Sequence, residues 1–363
     1  KAHGVHVEWS TNEKAALELL AGASYCGART LFTCKQVGLN VASDALMSLN
    51  YVGIKGGCVL FVADDPGPIS SQTEQDTRRF GAFSKVPVLD PATPEQGFAM
   101  MKAAFDLSEK YRTPVIVRPT TRICHASTFF EVEDETFAKP IPEEGFERSS
   151  RWVIFPRRAF EGHGEINERL ASIAKDYAQD EPLASFNLQE QRGDASMPLR
   201  LGVAAGGVSA SYVREALRRL EELCGEQGVQ MPSYRFWQVG TPYPFPVVAA
   251  DEFTYGLDRI IVFEELDHVI EDELAVRVDS VMQQEEREDK AFDPKKTIFE
   301  HLGDEYGWTI IGKVTIPLPV IVRDNDGEWY FFSSSRLADG KTYKGFRVAW
   351  EGAYEGKIVG VDA

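Results

Sequence analysis

Carboxylates, amides and hydroxyls able to do chemistry crowd into a few short stretches of the chain. In "STNEKAALELL" (10–20), Ser10 and Glu13 have the S-x-x-E spacing of a helix-capping box. Glu13 also heads the apolar row Ala16, Leu17 and Leu20. A carboxyl so placed is either a cap or a proton-sharing group in an apolar pocket, where burial disfavours its charge. In "VADDPGPISSQTEQDTR" (62–78), Asp64 and Asp65 run into a Pro-Gly turn, then into Ser70, Ser71, Gln72, Glu74, Gln75 and Asp76. "RPTTR" (118–122) brackets two threonines with Arg118 and Arg122, a pairing that suits an anionic group; a solvated strand end is the alternative. Cys124-His125 are chain neighbours pointing in different directions, and a nucleophile–base pair must meet in space. His3 and His6 lack companion zinc ligands, "AAGGVSAS" (204–211) is an incomplete dinucleotide fingerprint, and no P-loop is present.

The polar stretches follow apolar runs, and those runs define the elements that must hold them. Strands are expected at 29–34, 56–67, 85–91 and 113–122, and helices at 12–28, 35–54 and 93–112, the last capped near Thr93 and Glu95/Gln96. Strands alternating with helices predict βαβ units and a parallel sheet. Ligands of such folds bind just past the carboxyl ends of the strands, where 64–76 and 118–122 fall. This first domain occupies 1–127. Residues 128–198 read as an acidic linker with a connecting helix at 165–179. A second α/β domain is expected at 199–283, with a helix that Ser209 or Ser211 can cap. A linker at 284–307 leads to a β-rich tail at 308–363, whose Asn-Asp-Gly turn predicts an antiparallel hairpin.

Composition narrows the function. A net charge of -17 argues against a nucleic-acid partner, whose binding rests on Lys and Arg neutralising phosphates. The longest apolar runs fall well short of the ~20 residues that cross a bilayer, and no signal peptide opens the chain. Five cysteines, at 26, 34, 58, 124 and 224, include no C-x-x-C. They suggest reduced thiols in the cytoplasm and exclude an iron–sulfur cluster built from this chain alone.

The run "VEWSTNEKAALELLAGASYCGARTLFTCKQVGLNVASDALMSLNYVGIKGGCVLFVADDPGPISSQTEQDTRRFGAFSKVPVLDP" (7–91) closely resembles the pyrimidine-binding domain of the 2-oxoacid:ferredoxin oxidoreductases. Within them it is most similar to the alpha subunits of indolepyruvate ferredoxin oxidoreductases. The resemblance continues through "PVIVRPTTR" (114–122), "LGVAAGGVSASYVREAL" and "DRIIVFEELDHVIEDEL", reaching about residue 278. It implies a thiamine-diphosphate pyrimidine-binding fold followed by a transketolase C-terminal-like domain. It implies oxidative decarboxylation of a 2-oxoacid to an acyl-CoA, with electrons passed through iron–sulfur clusters to ferredoxin. Glu13 falls where the family places the carboxylate that hydrogen-bonds the aminopyrimidine ring nitrogen of thiamine diphosphate. Gln36, Asp64 and Gln72 are placed with it as cofactor-binding residues, and no metal ligand is assigned. Pyruvate-type relatives end the strand before 64–65 with a substrate-binding Arg; Asp64-Asp65 here fits indolepyruvate or another aryl-pyruvate. The family's magnesium motif, G-D-x followed by Asn, has no suitable counterpart, since Gly193-Asp194 and Gly303-Asp304 lie in polar contexts. The chain is therefore expected to carry the pyrimidine half-site, with magnesium and the 4Fe-4S clusters in missing segments or partner chains. Expected partners are the 2-oxoacid, coenzyme A, ferredoxin, a beta subunit and a second copy, with no nucleic acid and no membrane. The alternative is a non-catalytic assembly or regulatory module derived from this fold.

Overall fold

The computed structural model of the chain describes residues 4–129, 131, 140–288, 307–311, 314–317, 319–323, 327–349 and 357–361, and it forms two compact units, 1–281 and 282–363. The first unit opens with α1 (Glu13–Tyr25), β1 (Thr30–Lys35), α2 (Gln36–Val41), α3 (Ser43–Val52), β2 (Cys58–Ala63), α4 (Thr77–Ser84), β3 (Val88–Leu89), α5 (Pro94–Tyr111), β4 (Val115–Val117) and α6 (Thr121–Cys124). It continues with α7 (Pro156–Gln179), β5 (Gln189–Arg192), β6 (Leu201–Gly206), α8 (Gly207–Gln227), β7 (Tyr234–Val239), α9 (Val247–Thr254), β8 (Arg259–Phe263) and the start of α10 (Val269–Glu288).

The capping box at the head of α1 is not formed. Asn12 is the N-cap, its side chain accepting from the Ala15 N–H at 2.9 Å, so Glu13 is the first helical residue instead of the capping partner. Asn ranks with the best N-caps, and it stands one residue ahead of the helix, where a cap must be. Leu17 is fully buried, with Ala16 and Leu20 packed beside it. The stripe below Glu13 is thus core, each fully buried leucine contributing about 1.5–3 kcal/mol.

The first sheet has strand order β1-β2-β4-β3, all parallel, as the alternating pattern predicts. Lys35 pairs with Ala63, Phe61 with Val117, and Leu89 with Val117. Gln36, Asp64, Arg118 and Asp90 each follow the end of one of these strands, along one edge of the sheet. One face is packed by Leu17, Leu39, Leu46 and Leu49, the other by Met100, Leu107, Ile173 and Tyr177. The helix expected over 35–54 is two, α2 and α3, separated at Ala42. Thr93 caps α5 as expected, accepting from Gln96 N, while the Gln96 side chain accepts from Ala92 N.

The second sheet has order β5-β7-β6-β8, parallel except for the antiparallel edge strand β5. Strand β5 lies in the stretch read as linker, and α7 begins at Pro156 instead of 165. Proline at the first helical position is itself a start signal. Neither Ser209 nor Ser211 caps α8: the N-cap is Gly206, and the Ser211 hydroxyl donates to the Ala92 carbonyl instead. The two sheets meet within this unit. Val88 N–H donates to Tyr243 O at 2.7 Å and Asp90 N–H to Gly240 O at 2.8 Å. Gly207, at φ +51°, lies so close to Asp90 that a Cβ would stand 2.8 Å from its Oδ1. Glycine alone suits both that backbone and that approach.

The second unit contains β9 (Gly307–Ile311) paired with β10 (Val314–Pro317), β11 (Pro319–Arg323) with β12 (Trp329–Ser333), and β13 (Phe346–Val348) with β14 (Ile358–Gly360), all antiparallel. The β11–β12 hairpin is the one the Asn-Asp-Gly turn predicts, with Tyr330, Phe332, Tyr343 and Phe346 in ring contact beside it. The fold class is therefore as expected: two parallel-sheet α/β bodies and a small antiparallel β tail. The linker expected at 284–307 lies largely outside the described residues, as does Gly303-Asp304. Among the described residues, no helix is long and apolar enough to cross a membrane. All five cysteines are free.

Candidate functional site

The corner where β1 turns into α2 carries Gln36 and has Glu13 packed against Gly38 of the same helix. Glu13, half-buried at the head of α1, lies across the first turn of α2: a Cβ built on Gly38 would stand 2.8 Å from its Cγ and 2.8 Å from its Oε1, and 3.1 Å from Cys34 Cβ. The Cys34 thiol feels this neighbour. Burial pushes it up first, the Glu13 charge adds to the push, and together they raise it to about 12. Gln36 occupies the first position of α2, only 1% exposed, and neither its amide nitrogen nor its oxygen has a hydrogen-bond partner among the described residues. Buried polar groups are nearly always paired, which makes this amide a candidate ligand contact. The Glu13 carboxylate, half-buried, makes no side-chain hydrogen bond among the described residues. One unpaired carboxylate and one unpaired amide supply acceptors and an N–H donor, the set that an aminopyrimidine would use.

Asp64 and Asp65, one strand over, are committed internally. Asp64 Oδ2 accepts from Arg118 Nε at 2.6 Å and from Thr77 N at 3.1 Å, and Oδ1 from Asp65 N at 3.2 Å. Asp65 Oδ2 gathers the N–H groups of Ile69, Ser70 and Ser71, and Oδ1 accepts from the Thr121 hydroxyl at 2.7 Å. Burial alone would raise the Asp65 carboxyl, but these donors outweigh it and hold it far below the ordinary carboxylate range. The loop is thereby fixed, with Ser70 also receiving Lys35 Nζ at 3.1 Å. Gln72 is exposed on the same loop and makes no hydrogen bond among the described residues.

Arg118 is neither an open anion site nor a solvated strand end. It is 1% exposed, ion-paired to Asp64 and to Asp90 at 3.1 Å, with Asp76 at 3.8 Å. Arg78, equally buried, is paired to Asp76 and, at 2.8 Å, to Glu264 after β8; it also donates to the carbonyls of Glu265 and Asp267. Glu264 in turn accepts the N–H groups of Val269, Ile270 and Glu271 at the start of α10. Two arginines thus face four carboxylates. Burial pushes the Asp90 carboxyl up, Arg118 and Arg78 pull it down, and it rests at about 6. Sequence reasoning missed Asp90, Arg78 and Glu264, because their partners lie far along the chain. It also missed Cys34 and Gly38, for which spacing gives no signal. Gly193-Asp194 forms a turn in which Asp194 accepts from Ser196 N–H and hydroxyl and from Gln230.

Among known proteins, this chain is 37% identical over 284 residues to the indolepyruvate oxidoreductase subunit IorA of Thermococcus kodakarensis, covering 76% of this chain and 40% of that protein. Over about three quarters of its length, the chain is similar to IorA subunits. The IorA of Methanothermobacter thermautotrophicus is 37% identical over 276 residues, covering 76% of this chain and 41% of that protein. The chain thus spans about two fifths of the length of its IorA relatives. The fold resembles a solved 2-oxoglutarate:ferredoxin oxidoreductase from Magnetococcus marinus with 2-oxoglutarate, coenzyme A and succinyl-CoA bound. The TM-score is 0.52, with 17% identity, over 71% of this chain and 50% of that one. Residues 297–363, by contrast, match a family described as a domain of unknown function, DUF8433.

Proposed function

We propose that this chain contributes the pyrimidine-side half of a thiamine diphosphate site in a 2-oxoacid:ferredoxin oxidoreductase acting on indolepyruvate or another aryl-pyruvate. The carrying observation is the corner at the end of β1, where Glu13 and the buried amide of Gln36 stand unpaired in a chain homologous to IorA. Thiamine diphosphate, when bound, supplies the carbanion-stabilising chemistry. Glu13 holds the proton shared with the aminopyrimidine ring nitrogen. Gln36 fixes the orientation of that ring with its amide. Asp64 and Asp65 act by holding strand ends and loop in place, and Gln72 stands on that loop as an outer contact.

Coenzyme A, ferredoxin, a beta subunit and a second copy are the partners of this reading, with magnesium and 4Fe-4S clusters supplied outside the half-site. A cytoplasmic location belongs to it too. The test is to assay the chain alone and reconstituted with the neighbouring subunit for indolepyruvate-dependent, coenzyme A-dependent dye reduction. Activity in the reconstituted enzyme only, lowered about 100-fold or more by Glu13→Gln, supports the reading. A stable complex with no thiamine diphosphate uptake would instead make the chain an assembly module.

A further inference from the structure

We propose that Gly38 is the positioning residue for Glu13: its missing side chain leaves the space in which the Glu13 carboxylate rests at the end of β1. This rests on the reading of Glu13 as the proton-sharing group. Three observations carry it. Gly38 is buried inside α2, where alanine is the better helix former, so glycine is retained against local propensity. Its backbone needs no glycine, since its φ is not among the positive ones. The space a Cβ would take is filled by Glu13 Cγ and Oε1, both at 2.8 Å, with Cys34 Cβ next at 3.1 Å.

The atoms in the way belong chiefly to a side chain that can swing aside. Gly38→Ala should therefore leave the fold standing and displace Glu13. A glycine kept only for close packing behaves in the opposite way: a methyl there would cost stability and leave Glu13 alone. Cys34 provides a readout in the chain without cofactor, because the Glu13 charge opposes ionisation of its thiol. Glu13→Gln should speed alkylation of Cys34, followed peptide by peptide at fixed alkaline pH, by about threefold or more.

The decisive experiment is the double-mutant cycle in the full chain. If Gly38 positions Glu13, then Glu13→Gln no longer changes Cys34 alkylation in the Gly38→Ala background, and Gly38→Ala melts at or above the parent temperature. The reconstituted enzyme carrying Gly38→Ala should lose turnover about as far as the Glu13→Gln enzyme, with no further loss in the double variant. An unchanged Glu13→Gln effect on Cys34 in the Gly38→Ala background overturns the proposal. So does a Gly38→Ala enzyme with parental turnover while Glu13→Gln is inactive. If Glu13→Gln itself keeps full turnover, it is the proton-sharing reading of Glu13 that fails, and the thiol cycle still judges the packing of Gly38.

Discussion

Arg118 and Asp90 are ion-paired at 3.1 Å with both side chains 1% exposed, yet Asp90 has its carboxyl raised, not lowered. Burial outweighs the attraction because Arg118 is shared with Asp64 and Asp76. Breaking such a pair leaves uncompensated buried charge. Arg118→Met should therefore destabilise the first unit by about 3–5 kcal/mol in urea titration. The combined Arg118→Met, Asp90→Asn variant should recover part of that loss; a double variant no better than the single would mean that Arg118 acts mainly by packing.

Asp90 also sets a slope with pH. Its folded value of about 6 lies above the ordinary 3.8, so between these values the folded protein holds a proton that the unfolded chain has released. Stability from this group is complete below the lower value and is lost as pH rises through about 6, by at most about 3 kcal/mol. Chemical denaturation between pH 4 and 7.5 should show Asp90→Asn gaining on the parent as pH rises. A difference that does not vary with pH would contradict the raised carboxyl.

Asn12 and Glu13 separate cap from chemistry. Asn12→Ala should cost about 1 kcal/mol, the usual loss of an N-cap. Glu13→Gln should change stability by less than about 0.5 kcal/mol, because Glu13 caps nothing. Thermal melts of the two variants decide this: equal losses would restore a capping role to Glu13.

Gln36→Met should stabilise the chain by about 1 kcal/mol, since it removes a buried amide with no partner among the described residues and keeps nearly the same volume. The same change should weaken thiamine diphosphate binding to the reconstituted enzyme, measured calorimetrically with magnesium. Loss of stability without loss of binding would make Gln36 a structural residue.

The parallel strands of both sheets were legible because they are short apolar runs bounded by turns, and the β11–β12 hairpin because its turn residues demand it; the polar edge strand β5, QEQR, gave no such signal. Helix α4 was not, because "TRRFGAFS" has little apolar content; its signal is the Asp76 cap and the buried Arg78. The start of α7 at Pro156 was hidden by the polar residues that precede its apolar stripe. For the site, resemblance pointed to Glu13 and Gln36, while the way Gly38 and Cys34 surround Glu13 depends on the angle at which α1 crosses α2. The ion pairs of Arg118 and Arg78 join residues up to 186 positions apart, beyond any local pattern.

Arg78 emerges from synthesis long before Glu264, Glu265 and Asp267, to which its guanidinium turns. Until β8 has been made, Arg78 has Asp76 but lacks Glu264, while Arg118 already stands beside Asp64 and Asp90 at the edge of the first sheet. The nascent first half is thus an unfinished object that waits for its own distant continuation, and the order of translation brings β8 last among the strands of the two parallel sheets.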